Sequence, residues 1–195
     1  SKSNLNQADL SNADFSKANL NQSSIVESNL TRARFNGANM ESADFTDSRL
    51  SMSVFFEANF KNANMNRTLV KGAKLAGCIF ENTNLPRADI TGADLTDAKF
   101  LKSNLSRAKL NGAILRRADL KGSDLSEADL SIADLTGASL AEVKLIGANM
   151  ERIKLNQAKI SEAKLCGAKI NKGKLFQVDL TQADLSGANM MGADL

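Results

Sequence analysis

Apolar residues return at every fifth position along the whole chain. Each of the 39 positions divisible by five, from Leu5 to Leu195, holds Leu, Phe, Ile, Met or Val, and no insertion or deletion breaks the register. Two residues before each stands a small one, most often Ala or Ser, and the residue between the two is usually Asp, Asn, Lys or Ser. A helix needs apolar residues three and four apart, so a period of five rules out a continuous helix. The small and the large residue are two apart and share one side of an extended segment, while the residue between them points the other way. The next two residues are often Ser, Thr, Asn or Gly, which suit a turn. Each unit is therefore expected to be a short strand followed by a corner. One unit cannot bury its own apolar pair, so units must stack as coils of a solenoid.

A longer period of twenty lies over the first. Phe15, Phe35 and Phe55 form one column at that spacing, and Phe60, Phe80 and Phe100 another. Asn19, Asn39 and Asn59 repeat the spacing outside, as do Asn64, Asn84 and Asn104. Like residues stacked in this way fit four units per coil. At about 4.8 Å per layer, nearly ten coils make a rod roughly 45–50 Å long. Ile153 is the bulkiest residue in a small slot, and Gly173 follows it by one coil, as close packing of a bulge against a void predicts. Pro86 falls at a corner, where its fixed φ and missing N–H are tolerated.

Ala8-Asp9-Leu10-Ser11-Asn12 and Ala133-Asp134-Leu135-Thr136-Gly137 are typical units. Repeated through all 195 residues in one register, they resemble the pentapeptide-repeat family. The resemblance implies an all-β fold, a right-handed quadrilateral parallel β-helix with about four pentapeptides per coil, forming one domain over 1–195. Handedness comes from the resemblance and from the usual twist of strands, not from the spacing. Members are mostly bacterial, often cyanobacterial. They include regulators of cell differentiation that act through protein contacts, secreted effectors and thylakoid-lumen proteins.

Charge changes the picture in one segment. The chain as a whole is balanced, with 25 Lys and Arg against 22 Asp and Glu. Outward charges alternate in several columns, as in Asp14 with Arg34, Lys74 with Asp94, and Asp89 with Lys109 and Asp129. Residues 144–174 break the alternation: eight cations face only Glu151 and Glu162. Lys144, Lys154, Lys159, Lys164, Lys169 and Lys174 fall in the outward slot, and the last five occupy successive units. They predict a positive girdle around the rod, a candidate site for an acidic or phosphate-bearing partner. No exposed aromatic cluster interleaves them, and a girdle does not track a groove, so specific nucleic-acid binding is not expected. A second candidate surface is apolar: Met52, Val54 and Phe56 fall in outward slots, with Val26, Leu69 and Ile79 nearby.

Nothing points to catalysis. The chain has no His, Tyr or Trp, which removes the commonest general base and several metal-site types. Cys78 sits in an inward slot and Cys166 in an outward one, several layers apart, and both are read as free thiols. Lys164 and Lys169 near Cys166 are expected to lower its pKa, but it has no His partner for nucleophilic work. Carboxylates spaced along a convex rod make no cleft. No cofactor, metal or catalytic residue is assigned. Free thiols favour a reducing, cytoplasmic setting, with the thylakoid lumen or secretion as alternatives.

No apolar run approaches the length of a membrane span, and no secretory signal opens the chain. It starts at Ser1 inside a repeat, which reads as a trimmed or processed chain. The expected function is a non-enzymatic scaffold for protein–protein interaction, with a regulatory role. One alternative is a DNA-mimicking binder of gyrase, a type II topoisomerase. Resemblance to the fluoroquinolone-resistance members suggests it, but the balanced charge and the absence of projecting loops argue against it. Another is a structural spacer within a larger protein. Open terminal coils would also favour end-to-end self-association.

Overall fold

The computed structural model describes residues 2–195. The chain winds as a right-handed quadrilateral β-helix. Parallel bridges join each outward residue to the one twenty positions later, from Asn4 with Ser24 to Lys174 with Asp194. One coil is therefore four pentads, and the outward slots define four faces. In chain order these begin at Asn4, Asp9, Asp14 and Asn19. The expected strands shrink to one bridging residue per pentad, because a corner takes two of every five residues.

One pentad, 94–98, shows how the backbone is satisfied. The Asp94 N–H donates to the Ala73 carbonyl in the coil below (3.0 Å). The Leu95 and Asp97 N–H groups donate to Ile114 and Arg116 in the coil above (2.7 and 3.0 Å). The Ala98 N–H closes the corner on the Leu95 carbonyl (3.0 Å). The Thr96 N–H is left over, and it donates to Oδ1 of Asp94 (3.1 Å). Every N–H of the pentad thus has a partner, as backbone accounting demands. The outward Asp or Asn is therefore a corner cap. The same bond recurs from Ser11 to Asp9 and from Thr181 to Asp179.

The second corner residue of each pentad has positive φ. Turns of this sense favour Gly or Asn at that position, yet most of these corners hold other residues, and Ile132 adopts φ 54°. At Gly72 an added Cβ would lie 2.8 Å from the sulfur of Met52, an exposed and flexible side chain that would have to move aside.

Inside, the large and small residues are almost wholly buried from Leu20 to Leu175. The Phe columns stack face to face, with centroids 5.1 and 4.8 Å apart in Phe15–Phe35–Phe55 and 4.9 and 4.5 Å apart in Phe60–Phe80–Phe100. Most hydroxyls in small slots are satisfied from the coil before, as where Ser53 donates to the Leu30 carbonyl and Thr83 to the Phe60 carbonyl, both at 2.7 Å, whereas Thr68 donates to Met65 in its own coil. At Gly173 an added Cβ would lie 3.0 Å from the Ile170 carbonyl oxygen and 3.1 Å from side-chain carbons of Ile170 and Leu175, so the slot has no room for a side chain.

Candidate interaction surface

The register places the lysines around the rod. Lys154 bridges to Lys174 on the third face and Lys144 to Lys164 on the first. Lys169 stands on the second face and Lys159 on the fourth. All six are exposed. Lys144 and Lys154 have distant carboxylates below them, Asp124 at 4.0 Å and Asp134 at 3.8 Å. Among the described residues, Lys159, Lys164, Lys169 and Lys174 make no ion pair.

The girdle is not isolated. Asp179, Asp184 and Asp194 occupy the slots above Lys159, Lys164 and Lys174. Lys169 alone has Asn both below and above, at Asn149 and Asn189. The lysines also leave corner groups uncapped. Among the described residues, no side chain accepts from the N–H of Ile146, Asn156, Ser161, Cys166 or Asn171, the positions that an Asp or Asn two residues earlier would cap. The Phe176 N–H is rescued from the coil below by Asn156 Oδ1 (3.2 Å).

The apolar residues spread over three adjoining faces and the corners between them. Met52 (60 % exposed) and Phe56 (53 %) sit on the two corners that flank the third face, with half-buried Val54 between them. Met52 lies over Gly72 in the next coil. Leu69 is on the second face and Ile79 on the fourth, each on a different side of the rod.

The charge columns pair less simply than their alternation predicts. Arg34 and Asp14 approach only to 3.9 Å. Asp89 pairs diagonally across a corner with Lys71 (3.2 Å), not vertically with Lys109. Asp134 likewise takes Arg116 through Nη2 at 2.7 Å. Burial pushes the Asp134 carboxyl up, but bonds from Thr136 and Arg116 outweigh it and hold the group below the usual range. At Asp89 the same opposition involves Thr91 and Lys71, with the same outcome.

The Cys166 pKa is raised, contrary to the expectation from its lysine neighbours. The thiol donates to Oδ2 of Asp184 (3.0 Å), and losing that proton would set a thiolate against a carboxylate. Asp184 is in turn held down to about 2, through the bonds from Cys166 and Ser186. Cys78 is buried, donates to the Phe55 carbonyl, and is pushed up to about 12 by burial. Both thiols are free. Among the described residues, no group of three or more His, Cys, Asp or Glu could hold a metal ion. Among the described residues, no helix is long and apolar enough to cross a membrane.

Sequence reasoning missed one cluster. Arg67, Arg87 and Arg107 stack at the corner between the first and second faces, beside a cavity of about 380 Å³. Their spacing of twenty is the signal in the sequence.

Residues 1–75 match a family described as a pentapeptide repeat region. Residues 63–100, 103–140, 133–171 and 174–195 match one described as pentapeptide repeats in eight copies. Among solved structures, the chain is similar to HetL, a pentapeptide repeat protein involved in heterocyst differentiation regulation from the cyanobacterium Nostoc sp. strain PCC 7120. The two are 30 % identical over 100 % of this chain and 87 % of that chain, with a TM-score of 0.61. Two trypsin-treated forms of QnrB1, a plasmid-mediated fluoroquinolone resistance protein, are 17 % identical, with TM-scores of 0.51 and 0.54. They cover 88 % and 84 % of this chain, and 86 % and 84 % of their own, and at that identity the likeness shows the fold alone. No curated protein sequence matches the chain.

Proposed function

Because the chain belongs to the pentapeptide-repeat family, we propose that it is a non-enzymatic scaffold with a regulatory role, whose girdle at 144–174 docks an acidic protein surface. The observation that carries this is the exchange of corner caps for exposed lysines. The fold gains from Asp or Asn in the outward slot, and six of the seven slots from 144 to 174 hold Lys instead. Each forgone hydrogen bond is worth about 0.5–1.5 kcal/mol. Fold stability therefore does not account for the lysines, whereas attraction to an acidic partner does. Similarity to HetL, which is involved in heterocyst differentiation regulation, supports a regulatory role. Two free thiols support a reducing, cytoplasmic setting.

The test is affinity capture from a bacterial lysate read by mass spectrometry, beside a variant with Lys154, Lys159, Lys164 and Lys169 changed to Glu. A protein captured by the wild type and lost in the variant is the expected result. Capture of the same proteins by both would overturn the girdle as the docking site. Gyrase subunits retained by both would support the topoisomerase reading instead.

A further inference from the structure

The arginine corner carries a second site. The column there runs Asp47, Arg67, Arg87, Arg107, Glu127, one residue per coil, all five with positive φ. Three cations in succession break the alternation that would pair each charge with a vertical neighbour. The carboxylates at the two ends draw the outer arginines in opposite directions. Arg67 reaches down to Asp47 with Nε 2.7 Å from Oδ1 and a second contact through Nη2. Arg107 reaches up to Glu127, with Nε and Nη2 2.9 and 3.0 Å from the two oxygens. Arg87 is left between them, exposed and, among the described residues, without an ion pair.

The corner opens around Arg87. The cavity there is lined by all three arginines, Asn66, Pro86, Ser106, Ser126 and Glu127, whose carboxylate is held by Arg107. On the adjoining first face the amides are already committed to one another: Asn104 donates to Asn84 (3.1 Å) and Asn84 to Asn64 (3.3 Å). The donors still free are the Arg87 guanidinium, the unused N–H groups of Arg67 and Arg107, and the Ser106 and Ser126 hydroxyls. A guanidinium has five N–H donors, and a bidentate carboxylate takes two of them. Free donors therefore stand at three successive heights on one corner. A carboxylate has two oxygens and is matched by one fork. A group with three terminal oxygens and up to two negative charges uses the whole set.

We propose that the corner centred on Arg87 binds a phosphate monoester, with Arg87 as its principal ligand and Arg67, Arg107 and the two serines as supporting donors. The site is separate from the lysine girdle and does not depend on the scaffold reading.

Calorimetric titration at about 0.15 M salt tests it with four probes: inorganic phosphate, O-phosphoserine, a short phosphoserine peptide, and the same peptide with Glu in place of phosphoserine. The proteins are the wild type, Arg87→Gln, and the four-lysine reversal used above. The phosphorylated probes should bind the wild type and weaken by about tenfold or more in Arg87→Gln, the loss of a charge-assisted fork. The lysine reversal should leave them unchanged, because the girdle lies beyond a Debye length of roughly 8–10 Å. Arg87 is exposed, so circular dichroism of Arg87→Gln should match the wild type. A peptide that binds more tightly than free phosphate identifies a phosphorylated polypeptide as the source, and equal binding identifies a small phosphate ester. Either result supports the site. No binding of any phosphorylated probe, equal binding to Arg87→Gln, equal loss in the lysine reversal, or equal affinity for the Glu peptide would overturn it.

Discussion

Two stretches of the rod share one backbone and differ in what their outward slots do. In pentads 89–93 and 94–98 the outward Asp caps the corner N–H of Thr91 and Thr96 and accepts the threonine hydroxyl as well. In pentads 154–174 the outward residue is Lys, and no such cap forms. The bridges and coil-to-coil hydrogen bonds nevertheless continue unchanged, with the Lys159 N–H on the Ala138 carbonyl at 3.0 Å and the Ile160 N–H on the Asp179 carbonyl at 2.7 Å. The ladder and the apolar interior therefore set the fold, while the outward residue contributes a small local increment. That slot is consequently free to carry function.

The comparison is broken most severely from inside. Leu115→Asp and Leu155→Asp each place a carboxylate in a fully buried slot, one outside the lysine segment and one within it. Each should cost several kcal/mol, as burial of an unpaired charge does. Thermal melts should show the two losses to be similar, because the interior is common to both stretches. A near-native melt for Leu155→Asp alone would mean that the lysine segment is held differently.

A smaller effect tests the cap itself. Asp94→Ala should destabilise by about 1 kcal/mol, since the Thr96 N–H and hydroxyl lose their acceptor. Lys159→Asn should do the reverse, stabilising by about 0.5–1 kcal/mol as an acceptor is supplied to the Ser161 N–H. Denaturant titrations read both. A destabilised Lys159→Asn would mean that the lysine contributes to the fold and would remove the argument for the girdle.

The mildest test uses acid. Asp89 and Asp134 are each only 7 % exposed and have carboxyl pKa values held below the usual 3.8. A carboxylate with a depressed folded pKa contributes stability above its unfolded value and loses it as pH falls through the folded one. Melting temperature should therefore be level near neutrality and fall below about pH 4. Asp134→Asn should lower the neutral plateau and flatten that fall, since Arg116 keeps a neighbour but loses the charge.

Much of this was legible in the chain. The five-residue register identified every inward residue, and the twenty-residue columns predicted the coil and the stacking of Phe60, Phe80 and Phe100. Both are consequences of repetition, since a strict period leaves only one way to bring every large residue inside. The lysine girdle was legible for the same reason, because each outward slot maps to a known face. The purpose of the outward Asp was not, because its cap on the Thr96 N–H appears only once the corner has positive φ and one N–H is seen to lack a backbone partner. Side-chain reach was equally hidden. Asp89 prefers Lys71 across a corner to Lys109 in its own column, and Cys166 answers to Asp184 rather than to its lysines. Sequence periodicity assigns each residue a slot. Only the packed coils decide which neighbour a long or polar side chain meets, because those contacts depend on distances across corners that no linear spacing contains.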